Sequence, residues 1–137
     1  MSRRIRAALA ALLAAGMLAG CGPGAQDWRC PVTGDYELWR INSRQIVLGV
    51  RQPDGSLASV VTDYVAGYCA DGRRYIGLRL ADGPGGEHPR YALVDTATQE
   101  WQPCPNQTDF AQACDRAGTQ LGDWIDTVPA PPGACYD

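Results

Sequence analysis

The chain contains no lysine, one histidine (His88) and one phenylalanine (Phe110) in 137 residues. Its 12 basic residues are therefore all arginine, and three of them, Arg3, Arg4 and Arg6, precede the first apolar run. Nine arginines then face 15 acidic residues, so the chain beyond that run carries a net charge near −6. With no basic cluster there is nothing to neutralise phosphates, which argues against nucleic acid as a partner. Electrostatic docking on anionic lipid is disfavoured on the same ground. No CxxC pair occurs, and His88 sits in "DGPGGEHP", a loop whose Gly and Pro residues make it a solvated turn histidine. Neither zinc-ligand spacing nor a cysteine–histidine catalytic pairing is present. "GPGG" (83–86) lacks the Lys and Ser/Thr of a phosphate-binding loop, and no serine stands in a nucleophile elbow. The expectation is a protein that is not an enzyme and takes no metal and no cofactor.

The carboxylates point the same way. Asp54, Asp71, Asp82 and Asp95 fall in turn sequences, where aspartate stabilises backbone geometry. A small hydrolase remains an alternative only if the fold itself assembles carboxylates that the sequence keeps apart.

The longest uncharged apolar run, Ala7 to Gly20, has 14 residues, short of the roughly 20 needed to span a bilayer. With three arginines ahead of it, the run has the proportions of a signal-peptide core. It ends in Leu18-Ala19-Gly20-Cys21, which resembles the lipobox of bacterial lipoproteins at every position. The resemblance covers residues 1–21. It implies that residues 1–20 are removed as a signal peptide and that Cys21 carries diacylglycerol on its sulfur and a palmitate-type acyl chain on its new amino group. A buried methylene contributes about 0.8 kcal/mol, so two or three chains hold durably where one holds marginally. Gly22 stands where an inner-membrane retention signal carries Asp. By that family rule the expected location is the bacterial cell envelope, at the outer membrane and on its periplasmic face.

With Cys21 lipidated, Cys30, Cys69, Cys104, Cys114 and Cys135 remain. An oxidising envelope favours disulfides, and five is odd, so two bridges and one free thiol are expected. Spacing alone leaves the pairing open. Cys104 with Cys114 is the preferred pair, because a Pro-Cys-Pro turn leads directly into the segment carrying Cys114. Cys30 with Cys135 would tie the ends of the folded part, leaving Cys69 as the unpaired thiol.

Beyond a lipidated tether (21–29), the pattern is strand-like. "YELWRI", "QIVLGV" (45–50), "LASVV", "DYVAGYC" (63–69), "YIGLRL" (75–80), "RYALVD" and a short "EWQ" are separated by turn signals such as "QPDGS" and "ADGR". They predict one antiparallel meander of five or six strands. "TDFAQACDRAG" predicts a helix, with Phe110, Ala113, Cys114 and Ala117 on one apolar stripe, Thr108 or Asn106 at its start and Gly118 at its end. The expected fold class is α+β: a small β-rich domain over 30–125 with one helix packed on the sheet, stabilised by disulfides, then an extended Pro-rich tail (126–137). "DGRRYIGLRL" and "RYALVDTATQEW" are similar to part of a β-propeller blade, but a propeller needs at least four blades of about 40 residues. The strand layout, the "YALVDTAT" turn and the Phe-led helix are also similar to small envelope lipoproteins of no assigned activity.

The remaining lead is aromatic. Most of the Trp and Tyr residues are expected to fill the core with their polar tips at its edge. Trp28, beside the tether, and Trp124, in the late "GDWID", are the two expected to be exposed and to offer a binding surface. The functional expectation is a membrane-tethered protein-interaction module for an envelope protein partner, with two alternatives: an inhibitor or immunity lipoprotein against a toxin or cell-wall hydrolase, and the small hydrolase named above.

Overall fold

The computed structural model describes residues 27–136. The expected signal segment, the lipobox-like stretch and Cys21 lie outside the described residues. Ten strands and one helix follow in chain order: β1 (Trp28–Thr33), β2 (Tyr36–Asn42), β3 (Gln45–Arg51), β4 (Leu57–Val61), β5 (Tyr64–Ala70), β6 (Tyr75–Ala81), β7 (Arg90–Asp95), β8 (Trp101–Cys104), α1 (Gln107–Ala117), β9 (Ile125–Asp126) and β10 (Cys135–Tyr136). They form two antiparallel five-stranded sheets, β10-β1-β2-β3-β4 and β8-β7-β6-β5-β9.

The mostly antiparallel β class with one helix is as expected, but the single meander is corrected to a two-sheet sandwich. Each sheet is locally a meander, so every hairpin turn reads the same in either architecture. The difference lies at residues 62–63, where a two-residue link that resembles a hairpin turn carries the chain from β4 in one sheet to β5 in the other. Leu38, Ile46, Leu48 and Val61 from the first sheet meet Val65, Ile76, Leu78, Leu80 and Val94 from the second, each almost fully buried.

Helix α1 supplies a third layer. Asn106 Oδ1 accepts the Asp109 N–H at 2.8 Å, and the helix ends on Gly118, whose φ of 69° is the left-handed conformation that glycine adopts without Cβ strain. Phe110 and Ala113 are buried against Leu93 and Cys104 on the outer face of the second sheet. Strand β6 runs beneath them at Gly77, where a Cβ would lie 2.7 Å from Cys69 Sγ and 2.9 Å from the Phe110 ring. The second sheet is therefore covered on both faces.

Three further expectations change. The folded unit takes in residues assigned above to the tether and the tail. Trp28 begins β1, although Pro31 interrupts the strand-like pattern there. Only Trp28 and Arg29 are paired by β10, so Pro31 falls where the outer edge of β1 carries no ladder and its missing N–H costs nothing. The tail is held without a bridge: the buried Thr127 donates its hydroxyl to Val65 O at 2.8 Å and its N–H to Ala66 O at 3.1 Å, and Cys135 and Tyr136 pair with β1. The expected disulfides are absent, and Cys30, Cys69, Cys104, Cys114 and Cys135 are all free thiols. Cys30 is buried in the inter-sheet core, whereas Cys135 is exposed and paired in register with Arg29, the neighbour of Cys30, so the two thiols belong to opposite faces of the strand. Cys104 and Cys114 do share the layer beneath α1, in the same apolar cluster. Cys69 reaches that cluster through Gly77 and Phe110, and burial pushes its thiol up to about 12.

Candidate binding groove

The ends of the sandwich differ in chemistry. At one end the "ADGRRY" turn joins β5 to β6. Asp71 Oδ1 accepts the backbone N–H groups of Arg73, Arg74 and Tyr75 at 2.8, 2.9 and 3.0 Å. Its other oxygen accepts the Thr119 hydroxyl at 2.8 Å, from the residue that follows the helix-ending Gly118. One carboxylate thereby ties a hairpin turn of the second sheet to the end of the helix above it. Partial burial works to raise the Asp71 pKa, but these four donors outweigh it and hold the group at about 2.

Arg74 extends the framework. Its guanidinium forks onto Asp95, Nε to Oδ1 at 2.8 Å and Nη2 to Oδ2 at 2.7 Å. That pairing, with the N–H of Ala97 on Asp95 Oδ1, keeps the Asp95 carboxyl below its ordinary range. The Arg74 carbonyl accepts both the N–H and the hydroxyl of Thr96. Tyr36 of the first sheet donates to Thr96 O at 3.4 Å, so this end of the sandwich is stitched across both sheets.

Between the turn and the helix end lies an open groove of about 690 Å³. Asp71 and Arg74 are tied into its wall, while the exposed Arg73 and Gln120, with Asp115, stand at its lip. Cys114 also lines it, half-buried, its thiol pushed up by burial and by the neighbouring Cys104. The groove can hydrogen-bond and pair charges.

A second groove, of about 430 Å³, lies at the opposite end, lined by Trp28, Arg40, Tyr64, Val128 and Tyr136 among others. Arg40 pairs there with the buried Asp27 at 3.2 Å, where the described chain begins. Trp28 is only 2% exposed, so its expected surface role is corrected: the first residue of β1 faces the core, and only an edge of it reaches this groove. Trp124 is half-buried, packed on Phe110 and Tyr91 at ring separations of 5.6 and 5.9 Å, with the Arg79 guanidinium 5.7 Å from its centroid. Among the described residues the exposed large apolar side chains are different ones: Val128, Tyr136 and Ile41. Hydropathy alone does not single them out, because they lie in a Pro-rich stretch, a two-residue strand and a strand end.

Three of the four turn aspartates behave as that sequence pattern predicts, whereas Asp82 pairs with Arg90 at 2.8 Å instead of bonding its own turn. Asp54 accepts the N–H and hydroxyl of Ser56, while Asp71 and Asp95 organise their own turns. The contact between Asp71 and Thr119, 48 residues apart, left no trace in the sequence. His88 is exposed in its loop. Among the described residues no group of three potential metal ligands forms and no helix is long and apolar enough to cross a membrane. No protein-family model, curated protein or solved structure matches the chain.

Proposed function

We propose that this chain is a lipid-anchored envelope lipoprotein that works as a non-catalytic interaction module, presenting the Asp71 groove to a protein partner. The observation that carries the reading is the state of the groove's polar groups. Asp71 and Arg74 are fixed by hydrogen bonds to the protein itself, which makes the wall rigid before any partner arrives. Arg73, Gln120 and Asp115 are left at the lip with mixed charge, suited to a polar segment of another protein. Anchorage through Cys21 places such a module at a membrane without a spanning helix.

The test is chemical cross-linking of the full, lipidated chain in envelopes, comparing the native groove with Arg73→Glu and Gln120→Arg, and with Arg44→Glu in the β2–β3 turn as a control at the other end. A partner that is captured by the native chain and the control, and lost by the groove variants, supports the reading. Equal capture by all four chains refutes the groove as the docking site. If the captured protein is a toxin or a cell-wall hydrolase whose activity falls on binding, the module is an inhibitor.

A further inference from the structure

The end of the sandwich opposite the Asp71 groove has its own chemistry. Val128 is 64% exposed and Tyr136 61%, the two most open large apolar side chains among the described residues. Both line the second groove, beside Arg40, which grips Asp27. Ile41, 44% exposed, follows Arg40 at the same end of β2. Val128 is not a loose side chain on a loose loop. The residue before it, Thr127, is 1% exposed and bonded to both Val65 and Ala66. The fold thus holds Val128 out in solvent from a buried anchor, and β10 pairing fixes Tyr136 at Trp28.

Chain length says what this end meets. Five residues, 22–26, separate Cys21 from Asp27. A fully extended chain spans at most about 3.3–3.6 Å per residue, so Asp27 stays within roughly 20 Å of Cys21. If Cys21 is lipidated, this end is held at the bilayer while the Asp71 groove is not. With net charge near −6 beyond the signal segment, attraction to anionic headgroups does not drive the contact. An apolar contact remains, and a tyrosine with an apolar ring and a polar tip fits the headgroup zone.

We propose that the Val128–Tyr136 end of the domain lies on the lipid surface, with both side chains in the interfacial zone and the Asp71 groove directed away from it. This rests on the reading of Cys21 as the lipidated residue. The partner is the bilayer, and the contact orients the module.

The test uses the full lipidated chain on vesicles of phosphatidylethanolamine and phosphatidylglycerol, with amide hydrogen exchange read by mass spectrometry against the same chain in detergent. Slower exchange on vesicles over 127–136 and 43–45, with 71–75 unchanged, is the expected result. A Val128→Asp/Tyr136→Asp double variant, altered only at exposed positions, should lose that protection and still float with the vesicles. Flotation without protection at 127–136, or with equal protection at 71–75, overturns the orientation and leaves the anchor standing. Failure to float, with an intact mass lacking the diacylglycerol, overturns the lipid reading itself. Protection at 127–136 that appears only when detergent-extracted envelope proteins are added overturns the bilayer as partner and makes this end a protein-docking face.

Discussion

The two sheets share one core and differ in what covers their other faces. The second sheet is roofed by α1, which adds a second apolar layer of Leu93, Cys104, Phe110 and Ala113. Among the described residues no helix roofs the outer face of the first sheet. It carries a chain of polar contacts, in which the Arg29 guanidinium sits 5.2 Å from the Trp39 ring centroid, Trp39 Nε1 donates to Glu37 at 2.7 Å, and Arg51 pairs with the other Glu37 oxygen at 3.5 Å. One face is held by area removed from water and the other by directional contacts at its edge. The first kind is worth more per residue, because the Arg51 that pairs with the buried Glu37 is itself more than half exposed, so that pair is screened and costs side-chain freedom.

The most damaging break should therefore be made under the helix. Phe110→Ala removes a buried ring that packs on Tyr91 and Trp124 and should cost about 3–5 kcal/mol, the usual range for an aromatic truncated in a core. Urea unfolding followed by circular dichroism measures it. A cost below about 1 kcal/mol, within the range of ordinary surface substitutions, would mean that α1 does not hold the second sheet as described.

How much of this contrast was readable beforehand depends on the range of each signal. The helix and its Gly118 end were legible because the stripe from Phe110 to Ala117 and its flanks are local, while its start was narrowed to Thr108 or Asn106, of which the fold uses Asn106. The segments of β2 to β8 were legible because alternation and Asp-Gly turns act within a few residues, although five or six strands were expected where the fold has seven. Their division into two sheets was not, since the link at 62–63 looks like any tight turn. Strand β5, "YVAGYCA", nonetheless carried a hint: it is almost continuously apolar, as a strand covered on both faces must be. The two-residue strands β9 and β10 have no period to detect. The groove depends on Asp71 meeting Thr119, a product of packing alone.

Close approach of backbones sharpens the comparison. In the first sheet a Cβ at Gly49 would lie 2.6 Å from Ala58 O, a backbone atom of the paired strand β4. In the second, a Cβ at Gly77 meets only side chains: Cys69 Sγ, Leu121 and the Phe110 ring, at 2.7–2.9 Å. Side chains can move and a ladder carbonyl cannot without breaking its strand. Gly49→Ala should therefore cost about 3 kcal/mol and Gly77→Ala about 1 kcal/mol, the two ends of the usual overpacking range. Thermal unfolding of the pair decides it, and the reverse order would show that the helix layer is the more rigid.

Asp71 links the two covered layers, and its effect depends on pH. Asp71→Ala leaves three backbone N–H groups and the Thr119 hydroxyl without their acceptor, at a cost of about 2 kcal/mol near neutrality, typical for hydrogen bonds to a charged group. The folded-state pKa, at about 2, lies below the usual aspartate value near 3.9. The stabilisation is thus complete above roughly pH 5 and is lost as pH falls through 4 toward 2. Unfolding of wild type and variant should converge across that window. A gap that persists unchanged at pH 2 would assign the cost to packing and not to the carboxylate.

The smallest effect belongs to the open face of the first sheet. Arg29→Ala removes the guanidinium from the Trp39 ring and leaves the Trp39–Glu37 hydrogen bond and the Glu37–Arg51 pair in place. A partly exposed cation–π contact of this kind contributes about 0.5–1 kcal/mol, so the Arg29–Trp39 coupling should be of that size. A double-mutant cycle of Arg29→Ala with Trp39→Phe isolates the contact. A coupling energy as large as the Phe110→Ala cost would erase the distinction between the roofed and the open sheet, because directional surface contacts would then hold as much as a buried layer.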